Sequence, residues 1–186
     1  MSRGIEQTHG HAIICGYGRV GQSLVEELRS SGVDLVVVDC NTERLAEAER
    51  NGILVVSGDA SDEAVLRRAG IDRASVLATV LPGDAENVFV TLTARELSES
   101  IDIIARGESE ATERKLLRSG ANRVVLPTMI GASKIASLIA CPTVESLVTD
   151  AKAFSRMNQD LEAFGLGMLE IPIGGQSALV GSTIQE

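Results

Sequence analysis

Short apolar runs alternate with amphipathic stretches from residue 11 to about residue 140. Six runs predict β-strands: HAIIC at 11–15, VDLVVVD at 33–39, ILVVSGD at 53–59, SVLATVL at 75–81, IDIIARG at 101–107 and NRVVLP at 122–127. They are short, β-branched and nearly unbroken, as parallel strands covered on both faces should be.

The stretches between them carry helical spacing. RVGQSLVEELRSSG sets Val20, Leu24 and Leu28 at i, i+4 and i+8 as one buried stripe, with Gly32 to end the helix. NTERLAEAERNG and SDEAVLRRAG open on capping side chains and finish at glycine. DAENVFVTLTARELSES and SEATERKLLRSGAN repeat the plan. This alternation predicts an α/β fold, a Rossmann-like, doubly wound, parallel six-stranded sheet.

Beyond TMIGASKIASLIA the pattern changes. Cys141-Pro142 breaks the helix, because proline disfavours the helical region in the residue before it. The expected organisation is a linker or disordered tail at 1–10, the Rossmann-like domain at 11–140, connecting crossover helices at 141–163, and the start of a truncated C-terminal subdomain at 164–186.

Composition narrows the function classes. A net charge of −9 and few aromatics leave neither the basic patch nor the stacking surface that nucleic acid needs. No apolar run approaches the roughly 20 residues that span a bilayer, and MSRGIEQTHG lacks a signal peptide's apolar core. Cys15, Cys40 and Cys141 have neither metal nor redox spacing, so they read as small apolar residues in a reducing, cytoplasmic setting.

The chemistry concentrates in Gly16-Tyr17-Gly18-Arg19-Val20-Gly21. Gly16 permits the tight turn, Gly18 lets the backbone approach a pyrophosphate, and Gly21 allows close helix–strand packing. The helix opening there presents unsatisfied N–H groups and a positive dipole end. Alone the motif is weak, but it follows a strand, opens a helix, and has Asp39 eighteen positions after Gly21 at the end of strand two. That carboxylate suits ribose hydroxyls and would repel a 2′-phosphate, and Cys40-Asn41 offers no arginine, which disfavours NADP. Arg44 is either over an adenine or solvated. Gly58-Asp59-Ala60-Ser61 follows strand three: Asp59 suits an adenine amino group or a helix cap, a role Ser61 could fill instead. LPGDAEN, from Leu81, follows strand four, with Asp84 and Glu86 expected in a dipole-favoured first turn.

Catalysis would need a proton-transfer group beside the cofactor. His9 and His11 lie at the start of strand one, the only Tyr is Tyr17, and no zinc, serine-hydrolase or Walker spacing occurs. The sequence therefore predicts a nucleotide-binding module rather than an enzyme. A fragment of a small NAD-dependent oxidoreductase and an assembly module with a vacant pocket are the competing readings.

HAIICGYGRVG, VVVD, VVSGDAS, PGDAEN, IIARGES and LLRSGANRVVLP occur in the order seen in RCK domains, also called TrkA-N domains, which regulate potassium conductance. The resemblance covers residues 11 to 140, and GLGMLEIPIGGQSALVGSTIQE is similar to the opening of the C-terminal RCK subdomain. It implies a cytoplasmic sensor of NAD(H) or ATP/ADP, paired as a homodimer or an octameric gating ring on a potassium-channel pore. A peripheral Trk/Ktr uptake regulator is the alternative within the family.

By position, the resemblance implies that Gly16, Gly18 and Gly21 cradle the phosphates, that Asp39 holds the ribose, and that Asp59 and Ala60 lie near the adenine. Tyr17, Val20, Cys40, Arg44, Gly58 and Leu81 complete the expected cofactor-binding set. Arg19 matches an arginine that reaches a terminal phosphate, and Arg106 would pair with phosphate or with a partner subunit. Of the family's calcium ligands, two positions hold Val80 and Arg106 and only Glu108 remains acidic, so calcium at that site is not expected. The helix at 128–140 would cross to a partner domain.

Overall fold

The computed structural model describes residues 2–140. The chain divides into two compact units, Met1–Lys134 and Ile135–Glu186. The expectations for 141–163 and 164–186 lie outside the described residues.

Six strands, β1 (Ala12–Cys15), β2 (Leu35–Asp39), β3 (Leu54–Ser57), β4 (Val76–Thr79), β5 (Asp102–Arg106) and β6 (Arg123–Val125), form one all-parallel sheet. Their order is β3-β2-β1-β4-β5-β6, the doubly wound arrangement expected from the alternation. Ile13 of β1 sits between Val36 of β2 and Leu77 of β4. The chain thus leaves β1 in one direction and returns on its other side at β4. That reversal opens a crevice at the carboxyl ends of β1 and β4, where open α/β sheets bind ligands.

Side chains alternate along each strand, so each face of the sheet has its own core. On one face Ile13, Cys15, Val36, Val38, Leu77 and Ile103 pack against Leu66, Val90 and Leu116. These come from α4 (Glu63–Arg68), α5 (Asp84–Leu97) and α6 (Glu110–Arg118). On the other, Ala12, Ile14 and Val37 pack against Val25 and Leu45, from α2 (Arg19–Ser30) and α3 (Thr42–Arg50). Cys15 lies fully inside, as expected of a small apolar residue, whereas Cys40, just past the end of β2, is exposed and corrects that expectation; Cys141 lies outside the described residues.

Several local expectations are corrected. The buried residues of α2 are Gly21 and Val25, whereas Val20 is exposed and Leu24 and Leu28 are only partly covered. The helix is rotated so that its first turn faces the crevice rather than the core. Double coverage holds for β1 and β2, but β3 and β6 are sheet edges and stay partly exposed. Asp62, not Ser61, caps α4, its carboxylate accepting from the Ala64 N–H at 2.7 Å. A 3-10 turn at Ile71–Arg73 follows, which helical spacing did not suggest.

Within the segment read as a linker, α1 (Ser2–Glu6) buries Ile5 in the first core. Arg73 donates to the carbonyls of Ile5 and Thr8 at 3.3 and 3.4 Å. The last described element is α7 (Pro127–Ala140), where Met129, Ile130, Ile135, Leu138 and Ile139 are exposed.

Candidate functional site

The loop after β1 owes its shape to two of its three glycines. Gly16 has φ +106°, which L side chains rarely adopt. A Cβ on Gly21 would lie 2.0 Å from the Gly16 carbonyl oxygen, so the first turn of α2 rests directly on the loop backbone. Gly18 differs. Its φ of −80° suits any residue, and a Cβ there would meet only the Arg44 guanidinium, at 3.9 Å. The fold does not require glycine at 18; the space beside it belongs to the crevice.

The helix that begins there is left uncapped. Gly18 provides no side-chain cap to α2, and no acidic residue lies in its first turn. By contrast α3, α4, α5 and α6 each carry a carboxylate in the first turn. Arg19 is instead the first residue of α2; it is exposed and makes no ion pair among the described residues. A cation at the positive end of a helix is unfavourable by itself, and an anion between them relieves both.

Asp39 stands opposite, 8% exposed at the end of β2. One carboxylate oxygen accepts from the Tyr17 N–H at 2.6 Å and the other from the Asn41 N–H at 2.7 Å. Arg44 lies 3.9 Å away and is half exposed. These bonds fix the carboxylate and leave each oxygen a further lone pair, as a vicinal diol requires.

An open cleft of about 1000 Å³ joins these features. It is lined by Gly16, Gly18, Arg19, Val20, Asp39, Cys40, Arg44, Leu81 and Arg106 among the predicted residues. An adjoining hollow of about 250 Å³ shares Asp39, Cys40 and Leu81 and adds Gly58, Asp59 and Ala60. Two predicted residues do not line either. The Tyr17 side chain is buried in the second core, leaving only its backbone near the crevice, and Gly21 lies beneath the loop.

Ser23, Leu24 and Glu27 also line the cleft. Leu24 is one of the stripe expected to be buried, and Ser23 and Glu27 carry no local signal, because the rotation of α2 that brings them there is set by its packing. Phe89, 61% exposed at the rim of the hollow, carried no signal beyond being a large aromatic in an aromatic-poor chain. Asn87 was likewise silent. It is buried, accepts from the Thr79 hydroxyl and Leu81 N–H, and donates to the carbonyls of Leu81 and Arg106. That single amide holds the β4 and β5 ends of the cleft in register.

The acidic groups nearby are largely committed. Asp59 accepts from both the N–H and the hydroxyl of Ser61 at 2.8 Å, which holds its carboxyl below the usual range. Glu86 accepts from the Gly83 N–H, and Asp84 from the Glu108 N–H and the Thr112 hydroxyl. His11 is far from this edge, buried with Nε2 2.9 Å from the Ala69 carbonyl.

Burial raises the Cys40 thiol, and the carboxylates of Asp59, Asp39 and Glu86 raise it further. Its alkylation by iodoacetamide is expected to be slower than that of a free thiol at neutral pH and to keep rising with pH beyond about pH 8.5, where the rate of a free thiol levels off. Mass spectrometry of the labelled peptide reads this out, and free-thiol rates at pH 7 would contradict it.

The arrangement is an open cleft at a bare helix end, with a nearly buried carboxylate, held by two backbone N–H groups, among its lining. The TrkA-N domain profile matches residues 12–127. Potassium channel protein 1 and probable potassium channel protein 2 of Methanocaldococcus jannaschii are 36% and 40% identical over 77% of this chain. The chain spans less than half of those relatives, 44% and 43% of their lengths. Among solved structures, GsuK bound to ADP is 33% identical with a TM-score of 0.62, covering 74% of this chain and 36% of that one. The GsuK channel bound to NAD is 31% identical with a TM-score of 0.59, covering 64% and 22%.

Proposed function

Because the chain belongs to the TrkA-N domain family, we propose that it is a cytoplasmic ligand-sensing domain of a potassium channel. Its ligand is an adenine nucleotide, NAD(H) or ATP/ADP. The diphosphate lies over Gly18 and the first turn of α2, the ribose on Asp39, and the adenine toward Gly58, Asp59 and Ala60.

The observation that carries this reading is Gly18, a glycine that neither its backbone angles nor its protein neighbours demand. What it keeps clear is the mouth of a bare helix N-terminus. The NAD- and ADP-bound GsuK relatives support this choice of ligand class.

Binding rather than turnover is the reading that membership of the family supports. Among the described residues no His, Lys or Tyr side chain lines the cleft, whose titratable groups are Glu27, Asp39, Cys40, Glu86 and three arginines. Output comes instead from differential affinity of the nucleotide for two arrangements of a dimer or octameric ring. The exposed apolar side chains of α7 supply contact surface for the homodimer. No helix among the described residues is long and apolar enough to cross a membrane.

Calorimetric titration of NAD, NADH, ADP, ATP and AMP into the protein tests the reading, with light scattering before and after ligand. Micromolar binding of at least one nucleotide to a dimer or larger assembly is expected. No binding below millimolar concentration, or a strict monomer, would overturn it.

A further inference from the structure

We infer that Glu108 sets the cleft's affinity for a terminal phosphate, by holding Arg106 until that phosphate arrives and then turning to the N-terminus of α7. The inference rests on the nucleotide reading above and adds to it a competing anion and a place where the exchange is felt.

Arg106, at the end of β5, lines the same cleft as Gly18 and Arg19. Its guanidinium is only partly satisfied: one terminal nitrogen pairs with Glu108, while Nε is buried without a hydrogen-bond partner. A guanidinium offers five N–H groups in a fork suited to carboxylate and phosphate alike. A nucleotide phosphate entering at Gly18 therefore competes with Glu108 for the same cation.

Glu108 is built to move only its side chain. Its backbone N–H donates to Asp84 at 3.0 Å, which ties the loop to the start of α5. The carboxylate is 40% exposed, and its second oxygen accepts from the Thr128 hydroxyl at 3.2 Å. Thr128 stands in the first turn of α7, a helix with no acidic residue in that turn. Glu108 thus lies between two cations of a sort, the Arg106 guanidinium and the positive end of α7. Phosphate bound to Arg106 neutralises the first and repels Glu108, leaving the carboxylate to α7.

The test titrates ADP and adenosine into the protein, with E108Q, R106Q and the double variant compared at matched melting temperature. R106K serves if R106Q does not fold. E108Q is expected to tighten ADP by roughly two- to fivefold, the scale of a part-exposed ion pair, and to leave adenosine unchanged. R106Q weakens ADP by about tenfold or more, and in its background the gain from E108Q disappears. By NMR, ADP slows amide exchange at residues 128 and 129, whose N–H groups precede the first intrahelical bond of α7, in the wild type but not in E108Q. Equal ADP affinity in wild type and E108Q, a gain that persists without Arg106, or exchange in α7 indifferent to ADP overturns the inference and leaves nucleotide binding intact. Failure of ADP to bind the wild type at all would overturn both.

Discussion

Gly21→Ala is expected to lower stability by about 3 kcal/mol or more, at the top of the range for overpacking a tight contact. The reason is that the obstacle is backbone. A Cβ at 21 would sit 2.0 Å from the Gly16 oxygen and 2.9 Å from its carbonyl carbon, and neither can rotate away as a side chain would. The Gly16 N–H is itself bonded to the Val38 carbonyl at 2.8 Å, so the loop cannot retreat without breaking its tie to β2. In a chain of 186 residues the melting temperature should fall by roughly 6–12 °C. A loss of only a degree or two would mean that α2 can lift off the loop.

Asp39→Asn should act on both stability and binding. Each oxygen of Asp39 accepts a backbone N–H, from Tyr17 and from Asn41. An asparagine keeps one acceptor and turns an NH₂ toward the other N–H, leaving a nearly buried donor unpaired, a cost of about 1–3 kcal/mol. The ribose loses its charged acceptor as well, which weakens nucleotide binding by about ten- to a hundredfold. Denaturant unfolding and calorimetry on the same preparation separate the two effects. A variant as stable and as tight-binding as the wild type would remove Asp39 from the site.

Much of this was legible in the chain because the informative signals are local. The apolar runs of β1 and β2, the glycines between β1 and α2, and Asp39 lie within thirty residues of one another, and each reports its own backbone requirement. Signals that depend on distant partners were not legible. Val20, Leu24 and Leu28 fit a buried stripe by spacing, but the close seat of Gly21 on Gly16 sets the rotation of α2 and turns Val20 outward. Tyr17 sits inside the motif, yet the second core claims its ring. Asn87 and Glu108 gain their roles from groups 19 and 20 residues away, Arg106 and Thr128 respectively, and nothing in their immediate sequence announces the pairing. Asp59 and Ser61 are the caps the sequence offers for α4; Asp59 instead takes both donors of Ser61, and Asp62 caps the helix.

The central claim is that the first turn of α2 is kept open for a nucleotide phosphate, and Gly18→Ala tests it most directly. Residue 18 has an ordinary φ and room for a Cβ, so the variant should melt within a few degrees of the wild type. Calorimetric titration with ADP should nevertheless show binding at least about tenfold weaker, because the methyl group occupies the place of close backbone approach. A Gly18→Ala protein that binds ADP as tightly as the wild type would contradict the account.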